Sequence, residues 1–270
     1  MEPLLVKETK FHDLTNTAIQ AALEAGELLR NGFGTHFSIK HKEGKHNLVT
    51  EYDHRSEELI LKLIQSRHPN SHFLAEETGG SGNQKAPFTW IIDPLDGTVN
   101  FAHNIPVFAV SIGVEQEGAL FAGVVFQPIT QELFVAEKGK GAFLNQKRLA
   151  VSPTQKLKDS ILATGFPYNL AENPFHCIDH FIDILRAGIP IRRLGAAAID
   201  FAYLAAGRFE GFFEVSLSPW DCAAGQLLVE EAGGIVTHWN NAPFDLRSKK
   251  PVAASNGLIH SEFIQLLKRS

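Results

Sequence analysis

Cysteine is scarce in this sequence, which contains Cys177 and Cys222 and no other. The two form no Cys-x-x-Cys pair and no disulfide framework, which favours a reducing, cytoplasmic location. No stretch approaches the roughly 18 consecutive apolar residues that a membrane-spanning helix needs. The first residues also lack the basic region and apolar core of a secretory signal. These absences predict that the protein has no membrane partner.

Positive charge is not in excess either, since the formal net charge is −5 at pH 7. A general nucleic-acid binder normally shows a basic face, so this composition requires no nucleic-acid partner. One local basic cluster is more typical of solvated hairpin turns: Lys138, Lys140, Lys147 and Arg148. The 12 histidines show no His-Glu-x-x-His or similar ligand spacing, so no histidine-based metal site is predicted.

The chain does contain enough apolar sequence for a substantial core, with 44% hydrophobic and 20% charged residues. Its pattern changes near residue 150. Before that point, an amphipathic helix ending at Gly32 and a second helix following Asp53 precede the alternating strands of an antiparallel meander. After it, strands and helices alternate. This change predicts an α+β fold in which two sheets are layered among helices.

The strongest chemical signal is an apolar strand, Trp90-Ile91-Ile92, that ends at Asp93. The sequence continues Pro-Leu-Asp96-Gly97, in which proline fixes its own φ and glycine permits a tight turn. Asp93 and Asp96 can then converge on one point. Two carboxylates that close repel each other unless a cation neutralises them, and Mg²⁺ prefers such an all-oxygen environment.

Two further acidic segments carry a weaker signal. In the first, Glu76-Glu77 follows a short apolar run and precedes a glycine-rich loop, an arrangement that a solvated loop also explains. In the second, Ser218-Pro219 precedes Trp220-Asp221, and a helix cap with proline at the first helical position explains most of it. Capping alone does not explain the tryptophan or the small residues that follow.

Together, the three segments resemble the signatures of the inositol monophosphatase family, in the same order and spacing. The matching residues are Glu76-Glu77, then Asp93-Pro-Leu-Asp96-Gly-Thr98-x-Asn100-Phe101, then Trp220-Asp221 with Ala-Gly-Gly at 232–234. The resemblance runs over nearly the whole chain and implies a single domain, residues 1–270, with a layered α-β-α-β-α sandwich of the sugar-phosphatase type. Asp200 stands where bacterial members often carry aspartate, so a bacterial-type member is implied.

The resemblance also implies a site with two or three Mg²⁺ ions. Glu76, Asp93 and the Leu95 carbonyl would hold the first ion. Asp93, Asp96 and Asp221 would hold the second, with a third possible near Glu76 and Asp96. The catalytic residues implied are Asp53, Thr98 and Glu76, of which the first two position the attacking water. The substrate contacts implied are Gly97, Thr98, Ala197, Glu214, Asp221 and Lys42.

The activity that follows from this resemblance is Mg²⁺-dependent hydrolysis of a small phosphate monoester without a phosphoenzyme. Inositol 1-phosphate is the first choice of substrate, because Glu214 and the small pocket residues favour a polyol. Histidinol phosphate, fructose 1,6-bisphosphate and 3′-phosphoadenosine 5′-phosphate remain alternatives within the family. Lithium sensitivity and homodimer formation are implied by the resemblance alone.

The sequence also leaves open two functions from other classes of protein. Haloacid-dehalogenase-type phosphatases carry Asp-x-Asp-Gly-Thr after an apolar strand, with the first aspartate as a covalent nucleophile. Here the two aspartates are three residues apart rather than two, so the geometry differs. The other reading is a regulatory binding protein on a phosphatase scaffold, although every expected ligand residue is present.

Overall fold

The computed structural model of the chain describes residues 10–41 and 48–268. Its helices are α1 Asp13–Gly32, α2 Glu51–Arg67, α3 Thr98–Ala102, α4 Cys177–Arg186, α5 Ala197–Ala205, α6 Pro219–Glu231 and α7 His260–Leu266. The strands of the first half are β1 Ile39–His41, β2 Leu48–Thr50, β3 His72–Ala75, β4 Gly79–Gly82, β5 Phe88–Asp96, β6 Ala109–Gln116, β7 Ala119–Gln127, β8 Glu132–Glu137, β9 Gly141–Leu144 and β10 Lys147–Arg148. Those of the second half are β11 Leu162–Thr164, β12 Ile191–Arg192, β13 Gly211–Glu214, β14 Ile235–His238 and β15 Val252–Ser255.

Two sheets form the framework. The larger has eight strands in the order β10-β9-β8-β7-β6-β5-β3-β4, and the smaller has five in the order β12-β11-β13-β15-β14. In the larger sheet β3 and β5 are parallel, whereas β5 through β8 form the expected antiparallel meander. A parallel pair places the ends of both strands at the same edge, which matters for the site described below.

The three largest groups of buried apolar side chains hold the layers together. The first lies between α1, α2 and the larger sheet and includes Leu14, Ile60 and Trp90. A second lies between the two sheets, around α5 and α6, and a third covers the outer face of the smaller sheet under α4 and α7. The order of layers is therefore helices, sheet, helices, sheet, helices. This confirms the predicted layered α-β-α-β-α sandwich of the α+β class.

The central helix α6 packs unusually close to the larger sheet. A methyl group at Gly113 on β6 would lie 2.6 Å from Cβ of Ala223, and one at Gly123 on β7 would lie 2.6 Å from the carbonyl oxygen of Ala224. The absence of a side chain at both glycines therefore permits this contact. The contact also sets the distance between the sheet and α6, including the first turn of the helix.

The structure differs from the sequence-based element boundaries in three places. Helix α2 begins at Glu51, ahead of Asp53, because Thr50 is its N-cap and Asp53 closes the capping box from inside the helix. Strand β5 runs on to Asp96 instead of ending at Ile92. The glycine-rich segment Gly79–Gly82 is a strand paired with β3. Within the described residues, no helix is both long enough and apolar enough to cross a membrane.

Candidate active site

Glu76 and Asp93 are brought together by the parallel pairing of β3 and β5. Ala75 lies opposite Ile92, and the backbone N–H of Glu76 donates to the carbonyl of Ile92 at 3.1 Å. The pairing thus continues one residue past the end of β3, so Glu76 and Asp93 leave the same edge of the sheet side by side. Burial of β5 on both faces makes Asp93 a buried residue, with 2% of its surface exposed.

A backbone irregularity then turns Asp96 toward the same region. In a regular strand, residues three apart point to opposite faces of the sheet. Here the pairing with β6 shifts register between Asp93 and Asp96, and the Leu95 N–H donates to Oδ1 of Asp93 at 3.0 Å. Because Pro94 has no N–H, the shift leaves no donor of its own unpaired at that position. Asp96 consequently ends beside α5, where the Ala198 N–H donates to its Oδ2 at 2.8 Å.

Gly97 makes the step from β5 to α3 possible. Its φ is +91°, and a Cβ atom there would lie 2.9 Å from the Val107 carbonyl oxygen. Only glycine fits both conditions. The next residue, Thr98, opens α3 directly after the two aspartates.

Asp221 enters from the first turn of α6. Ser218 is the N-cap and Pro219 follows it at the first helical position, while Oδ2 of Asp221 accepts the Ser218 N–H at 2.7 Å. The capping interpretation of this segment is therefore confirmed. The same aspartate also acts on Asp93, since its negative charge raises the pKa of the Asp93 carboxyl. One side chain thus caps the helix and contributes charge to the cluster.

The acidic cluster is defined as Glu76, Asp93, Asp96 and Asp221. Burial and the repulsion between its charges raise the pKa values of Asp93 and Asp96. Burial raises the pKa of Asp93 well above its ordinary value, and the charges of Glu76, Asp96 and Asp221 raise it further. Burial likewise raises the pKa of Asp96 to about 7, against the opposing effect of the Ala198 N–H. Such a cluster holds its full charge at neutral pH only when positive charge is added.

The chemistry of these donors fits a hard divalent cation. The cluster offers carboxylate oxygens with no histidine or thiolate partner, which suits Mg²⁺ rather than zinc or iron. Backbone N–H groups already fix one oxygen of Asp93, Asp96 and Asp221. Among residues 10–41 and 48–268, however, no three His, Cys, Asp or Glu side chains are already gathered into a metal-binding group. The individual metal ligands, including the Leu95 carbonyl, therefore stay predictions.

Asp53 and Thr98 form a direct hydrogen bond across the site. The Thr98 hydroxyl lies 2.8 Å from Oδ1 of Asp53 and 3.1 Å from the Leu95 carbonyl oxygen. The other carboxylate oxygen of Asp53 accepts both the N–H and the hydroxyl of Thr50, each at 2.7 Å. Burial raises the pKa of Asp53, while these hydrogen bonds lower it and the charge of Glu76 raises it slightly.

A second acidic pair lies beside the cluster, at the end of β13. Burial raises the pKa of Glu214 to about 8, and the charges of Asp221 and Asp96 add to the effect. Asp200 on α5 is buried near it, its pKa is raised well above the ordinary value by burial and by Glu214, and its Oδ1 has no hydrogen-bond partner in the described structure. Glu214 and Asp200 therefore form a polar wall on this side of the cluster. Ala197 adds a small side chain at the start of α5.

Sequence reasoning missed three contributors to this arrangement. Gly165 lets the Glu214 carboxylate approach the backbone, because a Cβ atom there would lie 2.1 Å from Oε1 of Glu214. Asn100, inside the motif but given no role, donates to the carbonyl groups of Val107 and Leu194 at 2.7 and 2.9 Å and so links α3 to the loop before α5. Glu57 was also missed and is treated below. The predicted substrate contact Lys42 lies outside the described residues.

Comparison with known proteins identifies the family of this chain. The profile of the inositol monophosphatase family matches residues 10–270. The inositol-1-monophosphatase of Mesorhizobium japonicum is 38% identical over 95% of this chain and 96% of its own length. The Nus factor SuhB of Escherichia coli K12 is 41% identical over 84% of this chain and 85% of its own. The crystal structure of the extragenic suppressor protein suhB from Bartonella henselae superposes with a TM-score of 0.90, at 38% identity, covering 96% of this chain and all (100%) of that one.

The fold and the family relationship together define a phosphoric monoester hydrolase. The chain belongs to the inositol monophosphatase family. This assignment rejects the haloacid-dehalogenase-type interpretation. That interpretation rested on a similar Asp-x-Asp-Gly-Thr motif after an apolar strand, from which this chain departs because Asp93 and Asp96 are three residues apart rather than two.

Proposed function

We propose that this protein hydrolyses small phosphate monoesters with the help of Mg²⁺ and that inositol 1-phosphate is its preferred substrate. The observation that carries the proposal is the burial of Asp93 within the electrostatic reach of Glu76, Asp96 and Asp221. Repulsion among buried carboxylates destabilises the fold unless a cation offsets it, so their presence at one edge of a sheet needs a reason other than stability.

In this proposal the ligand residues divide between two ions. Glu76, Asp93 and the Leu95 carbonyl would hold one, and Asp93, Asp96 and Asp221 would hold the other. When bound, the ions supply positive charge to the phosphoryl oxygens and lower the pKa of a water molecule.

Thr98 and Asp53 orient the attacking water. The Thr98 hydroxyl has one hydrogen, and the 2.8 Å bond directs it to Asp53, so the lone pairs of that oxygen are available to accept a hydrogen bond from water. Asp53 is buried and its pKa is raised, which makes it a stronger base than an exposed aspartate. Its second oxygen is held by Thr50, so its orientation is fixed before substrate binds.

The polar wall beside the cluster favours a polyol substrate. Glu214 and Asp200 offer acceptors or, when protonated, donors for hydroxyl groups. A panel of phosphate monoesters assayed with Mg²⁺ tests the choice: inositol 1-phosphate, histidinol phosphate, fructose 1,6-bisphosphate and 3′-phosphoadenosine 5′-phosphate. We expect the highest kcat/KM for inositol 1-phosphate. A higher value for another compound overturns the substrate, and no Mg²⁺-dependent hydrolysis of any compound overturns the activity.

A regulatory binding role is the second candidate, and it draws on the Nus factor name of the 41%-identical relative. It can be tested in an Escherichia coli strain that lacks its own SuhB. Complementation by an Asp93→Asn variant that has lost phosphatase activity would support a role independent of catalysis. Complementation by the wild-type chain alone would tie the role to phosphate hydrolysis.

The remaining expectations complete the proposal. We propose a cytoplasmic homodimer whose activity is inhibited by lithium, as the family resemblance implies. Analytical ultracentrifugation tests the dimer, and a lithium titration of the Mg²⁺-dependent activity tests the inhibition.

A further inference from the structure

Helix α2 presents a row of buried polar side chains to the site. Asp53, Ser56 and Glu57 lie on one face of the helix, at the three- and four-residue spacing that brings side chains together. Asp53 accepts from Thr98, and the Ser56 hydroxyl donates to the Pro94 carbonyl at 2.8 Å. Two of the three thus contact the segment from the end of β5 to the start of α3, which carries Asp93 and Asp96. The third contacts a different segment.

Glu57 holds the turn that follows Glu76. Its Oε2 accepts the N–H of Glu77 at 2.8 Å and its Oε1 accepts the N–H of Thr78 at 3.0 Å. The side chain is 1% exposed, so both bonds are shielded from water. The two donors belong to the residues directly after Glu76, in the turn between β3 and β4.

The turn needs such an acceptor. Consecutive N–H groups in a regular strand point in opposite directions, so two neighbours can meet one carboxylate only where the backbone curls around it. The strand on the far side, β4, has the sequence Gly-Gly-Ser-Gly and is largely exposed. It offers little side-chain packing to hold the turn in place. The buried carboxylate of Glu57 therefore supplies the anchor.

We infer that Glu57 is a positioning residue that sets the place of Glu76 relative to Asp93 and thereby sets the affinity of the site for Mg²⁺. The inference rests on the proposed function, because it assigns Glu57 to the metal site proposed there. Residues that orient metal ligands through one intermediate contact commonly change metal affinity or activity by about 10- to 100-fold when mutated. A purely structural role would instead lower stability and leave Mg²⁺ affinity unchanged.

The test substitutes Glu57→Gln, which keeps the shape of the side chain but places an NH₂ group against one of the two N–H donors. Two matched controls make the same chemical change elsewhere. Glu58→Gln alters the exposed neighbour on the same helix. Glu137→Gln alters another buried carboxylate that accepts from the backbone, that of His12, and it lies on β8, three strands from β5.

Mg²⁺ affinity is measured by titration calorimetry and by the rise in Tm with added Mg²⁺, beside the Mg²⁺ concentration for half-maximal activity. We expect Glu57→Gln to weaken Mg²⁺ binding by roughly 10-fold or more, with a smaller loss of kcat at saturating Mg²⁺. Glu58→Gln should match wild type within about twofold. Glu137→Gln should lower Tm without changing the affinity.

Unchanged Mg²⁺ affinity in folded Glu57→Gln overturns the inference while leaving the proposed function standing. If Glu57→Gln does not fold, Glu57→Asp is the variant to measure, because it keeps the charge but shortens the side chain. Weaker Mg²⁺ binding by Glu57→Asp supports the inference, and binding equal to that of wild type overturns it. A wild-type protein that neither binds Mg²⁺ nor shows Mg²⁺-dependent hydrolysis overturns the proposed function, and the inference with it.

Discussion

The Thr98 hydroxyl lies 2.8 Å from the Asp53 carboxylate, although 45 residues separate the two in the chain. Their meeting depends on two helix starts. Asp53 is held by the cap of α2, and Thr98 opens α3 immediately after the β5 turn. The capping box of α2 and the first residue of α3 face each other and thus create a pair suited to orient water.

This pair leads to the first prediction. Thr98→Ala removes the hydroxyl, so we expect kcat to fall by about 10²- to 10⁴-fold, the usual contribution of a positioned acid–base group. Thr98→Ser keeps the hydroxyl and should retain most of the activity. Steady-state kinetics with saturating Mg²⁺ measure both, and equal activity in the alanine and serine variants would remove Thr98 from the proposed mechanism.

Asp93→Asn should lower phosphatase activity by more than about 100-fold, because Asp93 is assigned to both ions. The fold should persist, since an asparagine oxygen can still accept the Leu95 N–H. Without Mg²⁺ the variant should melt at the same or a higher temperature than wild type, because one buried repelling charge is gone. Activity within tenfold of wild type, with unchanged Mg²⁺ dependence, would refute the assignment.

Stability should depend on pH and Mg²⁺ together. The pKa of Asp96 is raised from 3.8 to about 7 and that of Glu214 from 4.5 to about 8. A raised folded-state pKa gives a stabilising contribution that is complete below the ordinary value and is lost as pH rises through the folded value. In EDTA, these groups should therefore lower the free energy of unfolding between pH 5 and 8.

Added Mg²⁺ should oppose that loss, because it neutralises the carboxylates that have ionised. We expect the increase in Tm with Mg²⁺ to be larger at pH 8 than at pH 6. Thermal melts in EDTA and in Mg²⁺ at both pH values check this. An equal increase at the two pH values would speak against a cation at the acidic cluster.

Gly165→Ala tests the role of Glu214. The new methyl group would meet the end of a flexible side chain, so the fold should tolerate it while the Glu214 carboxylate moves. We expect KM for inositol 1-phosphate to rise about tenfold, a loss of roughly 1.4 kcal/mol in binding, with little change in Tm. Gly80→Ala is the control, because the nearest atom to its new methyl group is 4.0 Å away. A KM equal to that of the control would exclude Glu214 from substrate binding.

Local patterns predicted much of this fold. Helical spacing located α1, and a single apolar run located β5, the strand that carries Asp93. The cap of α6 was readable because Ser218, Pro219 and Asp221 satisfy local backbone donors within one turn. Such features depend on neighbours in the chain, so the sequence carries their signal directly.

The features that the sequence did not predict depend on long-range strand pairing or on backbone hydrogen bonds. The pairing of Ala75 with Ile92, which brings Glu76 beside Asp93, leaves no periodic trace in either segment. Strand β4 is nearly all glycine, so its pairing rests on backbone hydrogen bonds that no side-chain pattern announces. The role of Glu57 has no local sequence signal, because the N–H groups that it binds lie 20 and 21 residues away in the chain. The family resemblance supplied the ligand residues, but not this anchor.

The close contact between α6 and the larger sheet limits which substitutions the site can tolerate. Gly113 and Gly123 let the helix rest on the backbone itself, and Asp221 sits at the start of that helix. A larger residue at either glycine would push α6 away from the sheet. This would move Asp221 away from Asp93 without direct contact with a catalytic group. The position of Asp221 thus depends on two glycines that take no part in the chemistry, so a single added methyl group at either one would alter the activity.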